Sequence, residues 1–149
     1  MTLLSSTPAL SVRLPWAELI VAGRKTIEVR SWATESRGRI WLHAGKTSEP
    51  ELERAFGIMQ PFKGGFTGSV RLSAIVPLDN RRWSTWQPRH LVSGPYRSGQ
   101  FGWILERPIR FKSPIPAPGR LNLFKPDATL ETSLEEAELF GSGHSSSQT

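Results

Sequence analysis

Apolar residues recur along this chain in short alternating runs rather than in long helical stripes. Residues 10–14 alternate weakly and predict a strand. Behind them Trp16, Leu19, Ile20 and Gly23 fall at i, i+3, i+4 and i+7. That spacing predicts a helix over residues 14–22, with Pro15 near its start, where a missing N–H is harmless. Gly23 ends the helix, and in the strand that follows Ile27 and Val29 share one face while Thr26, Glu28 and Arg30 share the other. Residues 31–38 form a polar loop carrying Trp32 and Arg37. The clearest alternation is in residues 39–45, with Ile40, Leu42 and Ala44 opposing Trp41 and His43.

Ser48-x-x-Glu51 is a capping-box signature, and Leu52, Ala55 and Phe56 give the helix behind it an apolar face before Gly57 stops it. Residues 64–78 read as a long strand, with Val70, Leu72, Ala74 and Val76 on one side and glycines at 64, 65 and 68. Residues 79–100 show no regular pattern. Residues 101–111 resume a strand that Pro108 interrupts, residues 113–119 are a stiff proline-rich stretch, and residues 120–124 are the last strand. Ser133 and Glu136 cap a short acidic helix through Leu139, followed by a Gly/Ser tail that cannot support a core.

The pattern predicts a mixed α+β, mainly β fold: a small β-barrel of five to six strands with two or three short helices, closed so that its edges are hidden. Three parts are expected, namely a flexible N-terminus (1–9), the barrel domain (10–125) and an acidic, Gly/Ser-rich tail (126–149). A chain of 149 residues with six tryptophans is enough for one core.

Charge changes the picture. All 19 lysines and arginines lie between Arg13 and Lys125 with only eight of the 13 acids, so this body is far more basic than the overall net charge of +6. A basic body is the electrostatic footprint of a polyanion binder. The absence of cysteine excludes disulfides, thiolate nucleophiles and cysteine-ligated zinc. His43, His90 and His144 lack ligand spacing, so no metal is expected, and no motif implies a cofactor. No apolar run approaches the ~20 residues of a membrane helix. A monomeric, cytoplasmic protein without membrane contact is the simplest expectation.

The irregular segment 79–100 is the candidate nucleic-acid loop, because a connection beyond ~12 to 15 residues without structure of its own is usually functional or disordered. Arg81, Arg82, Trp83, Trp86, Arg89, Tyr96 and Arg97 interleave cations with flat rings. Single-stranded nucleic acid needs both. The opposing reading is that Trp83 and Trp86 plug the loop onto the core. For His43 a hydrogen-bonded structural role is expected over a catalytic one, since no catalytic partner stands beside it in sequence.

Ser11-Val12-Arg13-Leu14-Pro15-Trp16-Ala17, then Gly23-x-Lys25-x-x-Glu28-x-Arg30, then Gly38-Arg39-Ile40-Trp41-Leu42-His43-Ala44 together resemble the ASCH domain, which is related to the PUA fold. Phe101-Gly102-Trp103-Ile104-Leu105 and Gly119-Arg120-Leu121-Asn122-Leu123-Phe124 are similar to that family's closing strands, so the resemblance covers roughly residues 10–125. It implies a PUA-like barrel with a cleft between barrel and helix, RNA or a modified nucleoside as partner, and functional residues at Lys25, Glu28 and Arg30. Some members of the family are amidohydrolases of 4-N-acetylcytidine and others ribonucleases, which makes Lys25 and Glu28 the catalytic candidates of an alternative, hydrolytic reading. The amidohydrolase type carries a nucleophilic threonine where this chain has Glu28. Arg13, Arg30, Trp32, Arg37 and His43 are the expected ligand contacts around that pair. Its non-catalytic alternative is a structural ion pair of Glu28 with Arg13, Arg30 or Arg37.

Overall fold

The computed structural model describes residues 7–143. The elements in chain order are β1 (Ala9–Val12), α1 (Trp16–Val21), β2 (Ile27–Arg30), β3 (Gly38–Ala44), α2 (Pro50–Ala55), β4 (Gly65–Pro77), α3 (Asn80–Thr85), α4 (Gln87–His90), β5 (Phe101–Pro116), β6 (Leu123–Phe124), α5 (Glu131–Leu139) and β7 (Ser142–Gly143). The expected flexibility of residues 1–6 and 144–149, with His144, lies outside the described residues.

The strands form one sheet in the order β2-β5-β4-β3-β1-β6, with β7 added to the far part of β5. The sheet curls into a half-barrel in the mixed, mainly β class expected from the alternation. Its edges explain where the site lies. Among the described residues β2 pairs only with β5, and β6 pairs only with Ala9 and Leu10 of β1, so a gap opens between the two ends of the strand order. Arg30 on β2 crosses that gap, donating from Nη2 to the Ser11 carbonyl on β1 at 3.0 Å.

Both faces of the sheet are covered. Leu10, Leu14, Ile20, Leu42, Leu72 and Trp103 form the main core under α1, and Trp41, Phe66, Phe111 and Leu134 form a second cluster. Alternation therefore assigns faces correctly but not burial: Trp41 and His43 are as enclosed as Ile40 and Leu42. The second cluster includes Leu134 of α5, fully buried, a burial that stabilises by about 2 kcal/mol. Glu138 pairs with Arg39 at 3.4 Å and accepts from Ser69, while Ser142 and Gly143 pair with β5. Residues 126–143 are thus fastened to the sheet rather than hanging from it.

Four local expectations change. Residues 79–100 hold two short helices instead of an irregular loop. The Asp79 carboxylate accepts from the Arg82 N–H at 2.8 Å and starts α3, and Trp83 is buried with its indole N–H on the Gly94 carbonyl at 2.9 Å. The acid that caps α2 is Glu53 rather than Glu51, accepting from Ser48 Oγ at 2.6 Å and the Glu49 N–H at 2.8 Å, with Pro50 opening the helix. Pro108 does not interrupt β5, which runs on into the proline-rich stretch as far as Pro116. Arg107 has φ 50° and the β4–β5 register shifts nearby, between Ser69 and Arg71. Finally, the last strand is only Leu123–Phe124, leaving Arg120, Leu121 and Asn122 exposed.

Candidate functional site

A cleft of about 920 Å³ occupies the gap in the sheet. Glu28, Arg30 and Trp32 face it from β2 and the turn beyond, Ser11 and Arg13 from β1, and Trp16 from α1. His43, Gly45 and Lys46 contribute from the end of β3, and residues 117–122 close the far side as a strap. The charged side chains on its walls are Arg13, Arg30, Lys46 and Arg120 against the single carboxylate Glu28. A concavity lined with cations of one sign focuses the field and concentrates anions.

Behind this wall lies a buried charge cluster. Lys25 stands at the turn between α1 and β2, before the strand alternation begins, so its side chain can reach Glu28 despite the three-residue spacing. Nζ is 3.7 Å from Glu28 Oε1, donates to the His90 carbonyl at the end of α4, and lies 4.6 Å from the Trp16 ring centre. Both side chains are almost completely enclosed, with Lys25 2% and Glu28 6% exposed. Burial pulls the Lys25 pKa down from 10.5 to about 8, against the Glu28 carboxylate, which holds it up. Glu28 Oε2 in turn accepts from Arg30 Nε at 3.0 Å. The chain of contacts runs from α4 through Lys25 and Glu28 to Arg30 and across the gap to β1. Lys25 is not on the cleft wall; Glu28 and Arg30 are.

The other expected contacts separate into groups. Arg13 is exposed at the mouth and paired with Glu49 at 3.2 Å, and Trp32 packs edge-on against Trp103 at 4.8 Å between ring centres. Arg37 is away from the cleft, donating to the carbonyls of Thr34 and Ser36 and so tying its own loop. Trp83 is the plug of the α3–α4 pair, stacked on His90 at 4.2 Å, and is unavailable to a base. Tyr96 donates to the Leu78 carbonyl at 2.7 Å. Arg81, Arg82, Arg89 and Arg97 are exposed, and Arg82 and Arg89 each lie 5.6 Å from the ring centre of half-buried Trp86.

Sequence reasoning missed the partner of His43. β1 and β3 are parallel with Ser11 directly opposite His43, and Ser11 Oγ is 3.1 Å from Nδ1. His43 Nε2 is 2.7 Å from the Ala117 carbonyl on the strap. A carbonyl only accepts, so Nε2 carries the proton and Nδ1 accepts from the Ser11 hydroxyl. The only signal in the sequence is that both residues sit on strands; the register that joins them is tertiary.

Burial lowers the pKa of both His43 and His90 below 6.5, in each case against a hydrogen bond to a backbone carbonyl. The unfolded chain therefore takes up more protons than the folded one as pH falls from 6.5 through the lowered values, and stability rises with pH across that window. Urea midpoints should be highest above pH 6.5 and fall on acidification toward pH 5. A flat or rising midpoint over that interval would contradict the neutral assignment of both rings.

Among the described residues no three His, Asp or Glu side chains gather as a metal site requires, and no helix is long and apolar enough to cross a membrane. Residues 10–115 match the ASCH domain. Activating signal cointegrator 1 of Mus musculus is 27% identical over 130 residues, and its Homo sapiens counterpart 26%. Each alignment takes in 81% of this chain but 22% of the relative, so the chain spans about a fifth of the length of these curated proteins. The crystal structure of ASCH from Zymomonas mobilis superposes with a TM-score of 0.63 at 20% identity, covering 92% of this chain and 96% of that one. A single-residue variant of the same protein gives 0.64 at 19%, covering 93% of this chain and 100% of that one. Similarity at this level shows a common fold, and with the domain match over most of its length this chain belongs to the ASCH domain family.

Proposed function

We propose that this protein binds single-stranded RNA, with a base or modified nucleoside in the gap between β2 and β1. The observation that carries the proposal is the composition of the cleft. Four cations to one carboxylate supply phosphate contacts, and Trp16 and Trp32 supply flat apolar surface on the same walls. Stacking of a base on an aromatic side chain is worth about 1–3 kcal/mol and tolerates any sequence. Arg81 and Arg89 add exposed cations on the helical pair that Lys25 fastens to the start of β2, and Arg97 adds one in the loop beyond it. In this reading the Lys25–Glu28 pair positions Arg30 rather than transferring protons to the ligand, because Lys25 stands behind the wall.

An anisotropy titration with a short RNA, with and without one 4-N-acetylcytidine, tests the reading. If the four cleft cations each neutralise one phosphate, affinity should fall about 50-fold between 50 and 200 mM salt, and Arg120→Ser should reduce the slope by about one contact. Tighter binding to the modified strand would assign the modified base to the cleft. Absence of binding at the lower salt would overturn the proposal.

A further inference from the structure

We infer that the strap over residues 117–122 is a partition between two base sites, and that a smaller chamber on its far side takes the nucleotide next to the one in the cleft. This deepens the binding reading and rests on the cleft being the first site.

The chamber has a volume of about 240 Å³, about a quarter of the cleft, and lies between the strap and the segment that leads into α5. Its apolar walls are Phe66, Phe124, Leu130 and three prolines, Pro116, Pro118 and Pro126. Phe66 is buried, so the ring offered to a ligand is that of half-buried Phe124. Ala117, Pro118 and Arg120 line both spaces, which makes the strap their common wall.

Three observations support a nucleotide on the far side of that wall. First, the wall is fixed. Ala117 accepts from His43 Nε2 at 2.7 Å through its carbonyl and donates its N–H to the Gly64 carbonyl at 3.1 Å. Gly119 lets the strap lie against the imidazole, since a Cβ there would stand 2.6 Å from the His43 ring. The same imidazole meets Phe66 and Phe124 edge-on, at 5.1 and 6.1 Å between ring centres, so the residue that pins the strap also backs the chamber. Second, the charge at the mouth is mixed but mainly positive. Arg120 and Lys125 are exposed there against one acid, Asp127, whose Oδ1 accepts from both the N–H and the hydroxyl of Thr129 at 3.0 Å. An apolar hollow under cations suits a flat ring carried on a phosphate, whereas an aliphatic side chain of a protein partner makes no use of them. Third, Arg120 is the one cation that lines both spaces. Two successive nucleosides share a single phosphate between their rings, and a guanidinium on the wall between two ring sites is placed to hold it. His43 is then a positioning residue, which keeps the two sites apart by holding Ala117.

The test uses the full chain and two probes that share the linking phosphate. Adenosine 3′,5′-bisphosphate has one base, and the 5′-phosphorylated dinucleotide pApA adds the second. One further base stacked on an aromatic ring should tighten binding about tenfold, so pApA should bind about tenfold tighter than the bisphosphate. With 13C-labelled aromatic rings, pApA should show nuclear Overhauser contacts to both Trp32 and Phe124, and the bisphosphate to Trp32 without Phe124. Phe124→Ala should bring pApA to the affinity of the bisphosphate and leave the bisphosphate unchanged. The contacts are read on the parent chain, so the test stands even if Phe124→Ala does not fold. Equal affinity of the two probes, or no contact between pApA and Phe124, overturns the proposal; if the bisphosphate still contacts Trp32, the cleft reading survives and the chamber is left to an apolar side chain of a protein partner. Failure of both probes to bind overturns the cleft reading and the second site with it.

Discussion

Replacing Glu28 with glutamine lowers the unfolding free energy by about 3 kcal/mol at pH 7, because it leaves the enclosed Lys25 ammonium without its carboxylate. The partners that remain, the His90 carbonyl and the face of Trp16, carry no full negative charge. Glu28 raises the Lys25 pKa, so its removal drives that pKa below about 8 and the folded variant sheds the proton at a lower pH than the parent. The parent keeps that proton to about pH 8, so the deficit shrinks as pH rises from the variant's lowered pKa to about 8 and is constant above it. Lys25→Met should be within about 1 kcal/mol of the parent, since Arg30 still holds Glu28, and the double variant should recover most of the loss. Denaturant titration of the four proteins at pH 7 and pH 9.5 checks this. A Glu28→Gln cost below about 1 kcal/mol would mean that the pair is not integral to the fold.

Trp103→Ala should be at least as damaging, at about 4 kcal/mol, through a large cavity in the main core. The effect reaches the cleft because Trp103 supports Trp32 in two ways, by the edge-on ring contact and by an indole N–H donated to the Trp32 carbonyl at 3.1 Å. In buffer where the variant remains folded, RNA affinity should fall about tenfold, the lower end of a lost stacking contact. Trp103→Phe keeps most of the apolar volume but not the N–H donor, so it should cost less stability while still loosening Trp32. Unchanged affinity in both variants would remove Trp32 from the ligand contacts.

The strand-helix-strand frame at the start of the chain was legible because its signals are local: the apolar spacing of α1, the glycine after it and the alternation of β2. The resemblance carried by the same residues led to the right family. Within 79–100 the helical signal was present but divided between two short segments. Asp79 is an N-cap, and Trp83, Trp86 and His90 fall at i, i+3 and i+7, a helical face that buries Trp83 and His90. The cleft was legible on β2, in Glu28, Arg30 and Trp32, but Lys46 and Arg120 arrive from segments whose placement depends on the whole sheet. Ser11 opposite His43 was illegible for the same reason, since parallel pairing brings together residues 32 positions apart. The fastening of α5 centres on buried Leu134, with Ala137 beside it, and on Glu138 held by Arg39 and Ser69, too little apolar pattern in an otherwise polar segment to outweigh its composition.

The six tryptophans are reporters already distributed over the molecule, and their indole N–H resonances followed during titration with a short RNA test the placement of the ligand most directly. The signals of Trp16 and Trp32 should move, with a smaller response from Trp103 behind Trp32, while those of Trp41 and Trp83 stay in place. Movement confined to Trp86 would put the ligand on the α3–α4 helices instead, and would contradict the assignment of the gap between β2 and β1 as the binding site.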